Sequence, residues 1–407
     1  MKYIKLLKRF SIALGMPLFL LSCNAGSNNA SISGTPTSCP IISQPQESNY
    51  LTVRVTANGD NKGLCSLVNS PCVTVKICSS KDESNCTEIK DILLDSGSSG
   101  LRIFKERLRG LQLPNYYKNN QPVYECMQFI DGNQLWGSVN TAHIIFDGGV
   151  REHNLNVQVI DQDDSNLHSF CKSSISSPAA YGYNGVLGVS PLINDKGIYY
   201  QCSNNKCVQT DIAPLKGVAN PIRFLDKDNN GIMIELPDIP ESGCGNATGY
   251  AVFGVNTASD NIMESQVTKF KIATSPVVPL YIKAIYGGEE YHAYLDTGSN
   301  TISLDNGNTP VCTINSMFYC PLLTQNNIIT LTGVDGGSTQ NYSLSIANAG
   351  TLFTSGNTAF NNLASIPYSS LLSHFIDLGL PFFYGKKVYI GFESEPLNSE
   401  SDMYWAF

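Results

Sequence analysis

The sequence predicts a mostly β protein built from two related lobes, and three observations carry that expectation. Short runs of β-branched and aromatic residues recur between turns of Gly, Asn and Asp, as in Thr52–Val55, Val73–Ile77 and Leu155–Ile160. Helical periodicity is sparse, and 34 glycines and 20 prolines in a chain with 15% charged residues suit a β-rich exported protein better than a helical cytosolic one. Two segments are near copies of each other: Ile92-Leu93-Leu94-Asp95-Ser96-Gly97-Ser98 and Ala293-Tyr294-Leu295-Asp296-Thr297-Gly298-Ser299. A single Asp-Ser-Gly turn means little, because Asp often caps turns. Two of them with matching apolar flanks, one in each half of the chain, point to a duplicated lobe and a pair of facing carboxylates.

The elements follow in order. Lys2, Lys5, Lys8 and Arg9 precede an apolar run from Phe10 to Leu21, and Leu20-Leu21-Ser22-Cys23 then fits a lipobox. The run is too short for a comfortable membrane span. Residues 1–23 therefore read as a lipoprotein signal peptide, with Cys23 lipidated and holding the chain to a membrane. Asn24 after that cysteine resembles outer-membrane sorting in enteric bacteria, which gives a cell-envelope location, periplasmic or surface-exposed. Residues 24–48, rich in Ser, Asn, Gly, Pro and Thr, read as a flexible tether. An N-terminal β lobe over 49–223 carries Asp95, and a C-terminal β lobe over 224–407 carries Asp296. Ile144–Phe146 adds a strand to the first lobe, while Leu280–Tyr286 and Lys387–Phe392 are strands of the second. Tyr368–Leu378 reads as a short helix, and Phe224–Leu236 as a hairpin near the junction. Asp226, Asp228, Asn230 and Gly231 match the first half of a calcium loop, but Pro237 stands where its bidentate glutamate belongs, so a polar turn is the preferred reading.

The formal charge of −8 becomes −12 once the four cations of the signal are removed. An acidic chain without a basic tract argues against nucleic acid as a partner. Thirteen cysteines less Cys23 leave twelve, an even number suited to an oxidising compartment. Spacing suggests local bridges Cys202–Cys207, Cys312–Cys320, Cys65–Cys72 and Cys78–Cys86, with Cys39, Cys126, Cys171 and Cys244 pairing over longer range. No Cys-x-x-Cys occurs and the five histidines do not cluster with the cysteines, so neither a metal nor another cofactor is expected, and the chain reads as a monomer.

Two carboxylates within hydrogen-bonding distance cannot both ionise easily, so the pair Asp95 and Asp296 would hold one proton over a wide pH range. One could take a proton from water while the other gives one to a carbonyl oxygen. Gly97 and Gly298 would allow sharp turns with backbone N–H groups near the carboxylates. Ser98 and Ser299 would donate to the outer carboxylate oxygens, and Ser96 and Thr297 would lock the two turns together.

On these residues the chain resembles the bilobal, pepsin-like aspartic peptidases. Asn184-Gly185-Val186-Leu187-Gly188-Val189 resembles the apolar-apolar-Gly element that supports the first catalytic loop in that family, and Leu378-Gly379-Leu380-Pro381-Phe382-Phe383 followed by Lys387–Glu393 occupies the equivalent place in the second lobe. The resemblance covers residues 50 to 395. It implies an acid-protease fold and an endopeptidase that hydrolyses a peptide or protein substrate with water activated by the Asp95/Asp296 dyad. The whole sequence also resembles a family of uncharacterised proteobacterial lipoproteins with no established substrate.

The chain departs from the pepsin-like pattern at the flap, a hairpin that covers the cleft with a tyrosine. Laid on Gln128–Gly149, the flap has Asp131 at the tyrosine position, ahead of Gly132, and Phe129 and Trp136 are the aromatics available to cover the cleft. Arg102 stands where a tryptophan often follows the first aspartate. An alternative reading is thus a catalytically impaired lipoprotein of this fold that binds peptides or other ligands in the cleft, and a third is a structural envelope protein. A serine hydrolase is excluded by the lack of a Gly-x-Ser-x-Gly elbow. None of the five histidines sits in a nucleophile context, and a glycosidase has no need of twin Asp-Gly-Ser turns.

Overall fold

The computed structural model describes residues 36–56, 64–172, 175–203, 206–275, 278, 280–394 and 402–407. The signal peptide, its Cys23 and the tether as far as residue 35 lie outside the described residues. The described chain is mostly β. Its first fourteen strands are β1 (Tyr50–Thr56), β2 (Cys72–Cys78), β3 (Cys86–Asp95), β4 (Ser99–Phe104), β5 (Tyr117–Lys118), β6 (Gln121–Gln128), β7 (Gln134–Ile145), β8 (Arg151–Ile160), β9 (Gly185–Val189), β10 (Ile198–Ser203), β11 (Lys206–Gln209), β12 (Gly231–Leu236), β13 (Asn246–Phe253) and β14 (Lys269–Lys271). Seven more form a separate sheet: β15 (Ile282–Tyr286), β16 (Glu289–Leu295), β17 (Ile302–Ser303), β18 (Gln325–Thr332), β19 (Thr339–Ile346), β20 (Ala364–Ser365) and β21 (Phe375–Leu378). The chain then returns to the first sheet as β22 (Lys386–Gly391) and β23 (Tyr404–Ala406).

In the larger sheet the extra pairing of β2 with β7 closes β7, β8, β4, β9, β3 and β2 into a barrel. Beyond β2 the sheet continues through β1, β13, β12, β22, β23 and β14. The lobe boundary expected at 223/224 therefore runs through one hydrogen-bonded sheet, since β1 lies before it and β13 after it, paired over seven residues. β1 shows why this platform folds: Leu51, Val53 and Val55 are fully buried while their alternates face outward, the two-residue period of a half-buried strand.

The two sheets repeat one connectivity. β2 runs antiparallel to β3, as β15 does to β16. β3 lies parallel to β9, as β16 does to β21. The strands that leave the aspartates, β4 and β17, run antiparallel to those same partners. Even the register agrees, with Leu94 opposite Leu187 and Leu295 opposite Leu378. β9 is buried along its whole length, as expected of a strand with a parallel neighbour and both faces covered.

Six disulfides link the twelve remaining cysteines: Cys65–Cys72, Cys78–Cys86, Cys202–Cys207 and Cys312–Cys320 are the local bridges, and Cys39–Cys244 and Cys126–Cys171 the long-range ones. Cys39–Cys244, with Thr37 N–H donating to Asn357 Oδ1 and Gly245 N–H to Thr37 O, fastens the described end of the expected tether to the body of the protein.

Two local expectations are corrected. Tyr368–Leu378 is not a helix: a 3-10 turn at Ser370–Leu372 leads into β21, because Phe375 to Leu378 gain a parallel ladder with β16 that outweighs a weak helical pattern. Phe224–Leu236 is not a hairpin either, since β12 pairs with β13 and β22 instead of folding back on itself. Its polar turn docks on the segment after β13, where Asn230 brackets Val255 with two hydrogen bonds and Thr257 Oγ1 donates to Asp228.

Candidate active site

The repeated topology brings the two Asp-Gly-Ser turns together. Asp95 ends β3 and Asp296 follows β16, each at the mouth of a tight turn whose amides fold back on the carboxylate. Gly97 N–H donates to Asp95 Oδ1 at 2.8 Å and Ser98 N–H to the same oxygen at 3.2 Å, while Gly298 N–H donates to Asp296 Oδ1 at 2.8 Å. The serines take the outer oxygens: Ser98 Oγ donates to Asp95 Oδ2, and Ser299 Oγ lies 3.0 Å from Asp296 Oδ2.

A reciprocal set of bonds joins the turns. Ser96 N–H donates to Thr297 Oγ1 at 2.9 Å and Thr297 N–H to Ser96 Oγ at 2.9 Å. Each hydroxyl donates onward to the strand of the opposite repeat, Thr297 Oγ1 to Leu94 O at 2.7 Å and Ser96 Oγ to Leu295 O at 3.3 Å. Both residues have no exposed surface, so every group in this ring depends on the others for its partner.

The glycines are required by proximity. A Cβ on Gly97 would lie 2.8 Å from the Asp296 carboxyl carbon, and one on Gly298 would lie 3.0 Å from Asp95 Oδ1. Each turn therefore sits against the carboxylate of the other. Below them, Gly188 and Gly379 let β9 and β21 pass directly under Ser98 and Ser299, where a Cβ would meet backbone at 2.7 Å and below.

Burial, then the charge of Asp95 and of Asp377, pushes Asp296 well above the usual carboxyl range, and a hydrogen bond with the Asp95 carboxyl adds to the rise. Asp377 is the third carboxyl of the site. It is 8% exposed, lies opposite Tyr294 in the β16–β21 ladder, and its Oδ2 is 2.5 Å from Ser299 Oγ. Burial pushes it up to about 7, although the Ser299 and Tyr294 hydroxyls act the other way.

A fourth carboxyl comes from the β6–β7 hairpin. Its arms are Gln121–Gln128 and Gln134–Ile145, so it starts seven residues earlier than the expected 128–149 and its tip is Phe129–Asn133. Gly132 turns there with φ of 86°, and Asn133 N–H donates to Asp131 Oδ1 at 2.9 Å. Burial raises Asp131 against its two bonds from Asn133, and the charge of Asp95 raises it further, which places the hairpin tip within electrostatic reach of the aspartate pair. Phe129 is partly buried against the apolar cluster that includes Leu93 and Tyr181. Trp136 does not cover a cleft: it is fully buried, stacked on Tyr124 at 5.5 Å and tilted against Tyr200, beside the Cys126–Cys171 bridge. An inward position on β7 opposite Cys126 leaves it a core residue.

Arg102 is also wholly buried, donating to Glu125 at 3.0 Å, to Asp195 at 2.7 Å and to Ser99 O at 2.7 Å. It ties β4, which leaves the first aspartate, to β6, the first arm of the hairpin.

Sequence reasoning missed Asp377 and Tyr294. The signal was present one residue ahead of the supporting element taken to start at Leu378: the duplication aligns Asp377 with Val186 and Tyr294 with Leu93. Among curated proteins none matches the chain. One family profile, described as "Protein of unknown function (DUF3443)", matches residues 45–407. The chain therefore belongs to the DUF3443 family.

Proposed function

We propose that this protein is a pepsin-like aspartic endopeptidase, anchored in the cell envelope through a lipid on Cys23, that hydrolyses peptide bonds with the Asp95/Asp296 pair. The observation that carries the reading is the joining of two equivalent Asp-Gly-Ser turns by the exchanged bonds of Ser96 and Thr297. Such a ring holds two carboxyls face to face at a fixed separation, which shared-proton chemistry needs and a turn-capping role does not.

In this mechanism a water lies between the carboxyls and the scissile carbonyl. The unprotonated oxygen of the pair takes a proton from the water as its oxygen attacks the carbonyl carbon. The proton held on the Asp296 side passes to the carbonyl oxygen, giving a neutral gem-diol intermediate. Collapse returns a proton to the leaving nitrogen, breaks the C–N bond and restores a singly protonated pair. An extended substrate would lie under the β6–β7 hairpin, held mainly through its backbone, with side-chain pockets alternating on either side.

The test is cleavage of an unfolded protein and a peptide library from about pH 3 to 8, comparing the chain with its Asp95→Asn and Asp296→Asn variants. Each variant is expected to lose at least about a thousandfold in kcat/KM with its fold intact. A second reading rests on Asp131 at the hairpin tip: the same cleft binding peptides without turnover. Folded protein that binds peptides, cleaves none at any pH and loses no affinity in either variant would establish that reading instead. Radiolabelled palmitate entering the wild type but not Cys23→Ala checks the anchor.

A further inference from the structure

The duplication supplies an internal control for the site. In the first repeat the strand pair behind Asp95 presents Leu93 opposite Val186, and both belong to an apolar cluster. In the second repeat the same two positions are Tyr294 and Asp377. An apolar cross-strand pair has thus been exchanged, on one side only, for a phenol and a carboxyl directly behind the aspartate pair. Asp377 is buried, and its Oδ2 reaches the hydroxyl that also reaches Asp296 Oδ2, at 2.5 and 3.0 Å respectively.

That hydroxyl has one hydrogen and two carboxylate neighbours. If Asp377 were ionised while the pair's own proton lies between Asp95 and Asp296, Ser299 could serve only one of them, and the other contact would set lone pair against lone pair. If Asp377 is protonated, its O–H donates to Ser299 Oγ and Ser299 donates to Asp296 Oδ2, so that every contact is a hydrogen bond.

We propose that Asp377 is a positioning residue for the aspartate pair: through Ser299 it makes the site a three-carboxyl cluster holding two protons, and so keeps the pair's own proton into the neutral range. Tyr294 on β16 lies beside it, Asp296 follows that strand, Asp95 adds a further negative field from the first repeat, and Asp131 acts on Tyr294 from the hairpin tip. Burial first, and more weakly the charge of Asp95, raise Asp377 to about 7 against the hydroxyls of Ser299 and Tyr294. Loss of its proton would then add a negative charge beside Asp296, which makes the remaining proton harder to remove. For the peptidase proposed above, on which the functional consequence rests, this carries activity towards neutral pH.

The test follows carboxyl titration by NMR with 13Cγ-labelled aspartate, which needs no turnover. In the wild type one aspartate resonance is expected to titrate near pH 7 and to vanish in Asp377→Asn, whose amide can still donate to Ser299. In that variant the resonance identified as Asp296 by its loss in Asp296→Asn should titrate lower by about one pH unit. Asp377→Val, copying Val186, should give the same downward shift, and Tyr294→Leu with Asp377→Val restores the apolar pair if either single variant folds poorly. An Asp296 titration unmoved in these variants, or an Asp377 resonance already ionised at about pH 5, overturns the proposal. If the titration shifts but no peptide is cleaved, the cluster stands and the peptidase reading falls. If peptides are cleaved and the titration is unmoved, the reverse holds.

Discussion

Ser96 and Thr297, 201 residues apart in the chain, each donate a backbone N–H to the other's side-chain oxygen at 2.9 Å. Neither hydroxyl has exposed surface, and each passes its own hydrogen to the strand beneath the opposite aspartate. The pair is thus the point at which two copies of one turn are held in register, and the separation of the carboxyls follows from it.

Removing either hydroxyl leaves a buried N–H of the other turn without an acceptor. Ser96→Ala and Thr297→Ala are each expected to cost about 1–3 kcal/mol. Because the ring is shared, the double variant should lose clearly less than the sum of the two. Denaturant unfolding of the four proteins measures the coupling, and strict additivity would show that the bonds act independently.

Gly97→Ala should inactivate without unfolding. The added methyl meets the Asp296 carboxyl at 2.8 Å, so the carboxyls must move apart, yet the rest of the turn has no such conflict. A melting temperature within a few degrees of wild type, with proteolysis or peptide binding lost, is the expected result. Full function in this variant would mean that the two carboxyls need not be held face to face.

Arg102 balances Glu125 and Asp195 in a region with no access to solvent. Burial already pushes Glu125 well above its usual range, with Arg102 acting against it. Arg102→Gln leaves two buried carboxyls without a cation and is expected to cost about 3–5 kcal/mol at neutral pH. The cost should shrink in acid, as Glu125 takes up a proton. Urea midpoints at two pH values check both the size and the trend.

Asp296 predicts a pH dependence of stability. Its folded value lies well above the 3.8 of an unperturbed carboxyl. Between those values the folded chain binds the proton and the unfolded chain does not, so stability falls as pH rises through that window. Asp296→Asn removes this contribution. It should be more stable than wild type at about pH 8, with the gain disappearing as the pH falls to about 4. An Asn variant less stable than wild type at the higher pH would show that the carboxylate is well solvated or paired.

Much of the architecture was legible before any coordinates. The strands at Thr52–Val55 and Val73–Ile77 are there because two-residue alternation packs as a half-buried strand, and Leu155–Ile160 is also a strand, though buried on both faces. The four local disulfides were legible from short Cys spacing, which in a hairpin brings registered neighbours together, as Cys202 and Cys207 show, whereas the pairing of Cys39 with Cys244 and of Cys126 with Cys171 was decided by the fold. Segments without a strong local pattern were misread. Phe375–Leu378 is a strand only because β16 lies beside it, and β12 finds its partners across the chain at β13 and β22. Trp136 looked like a cleft aromatic until the true register of β6 and β7 turned it inward against Tyr124.

By itself the sequence determined that two aspartates stand in equivalent turns, that glycine and hydroxyl residues surround each, and that the chain is rich in short strands. Those are local properties, set by residue type and spacing. Only the tertiary structure decided which third carboxyl joins them. Asp377 lies 81 positions beyond Asp296, and its place one residue ahead of the second supporting element gains meaning only from the strand pairing. It becomes part of the site because a parallel ladder places it opposite Tyr294, where burial strips it of water and leaves the Ser299 and Tyr294 hydroxyls as its partners.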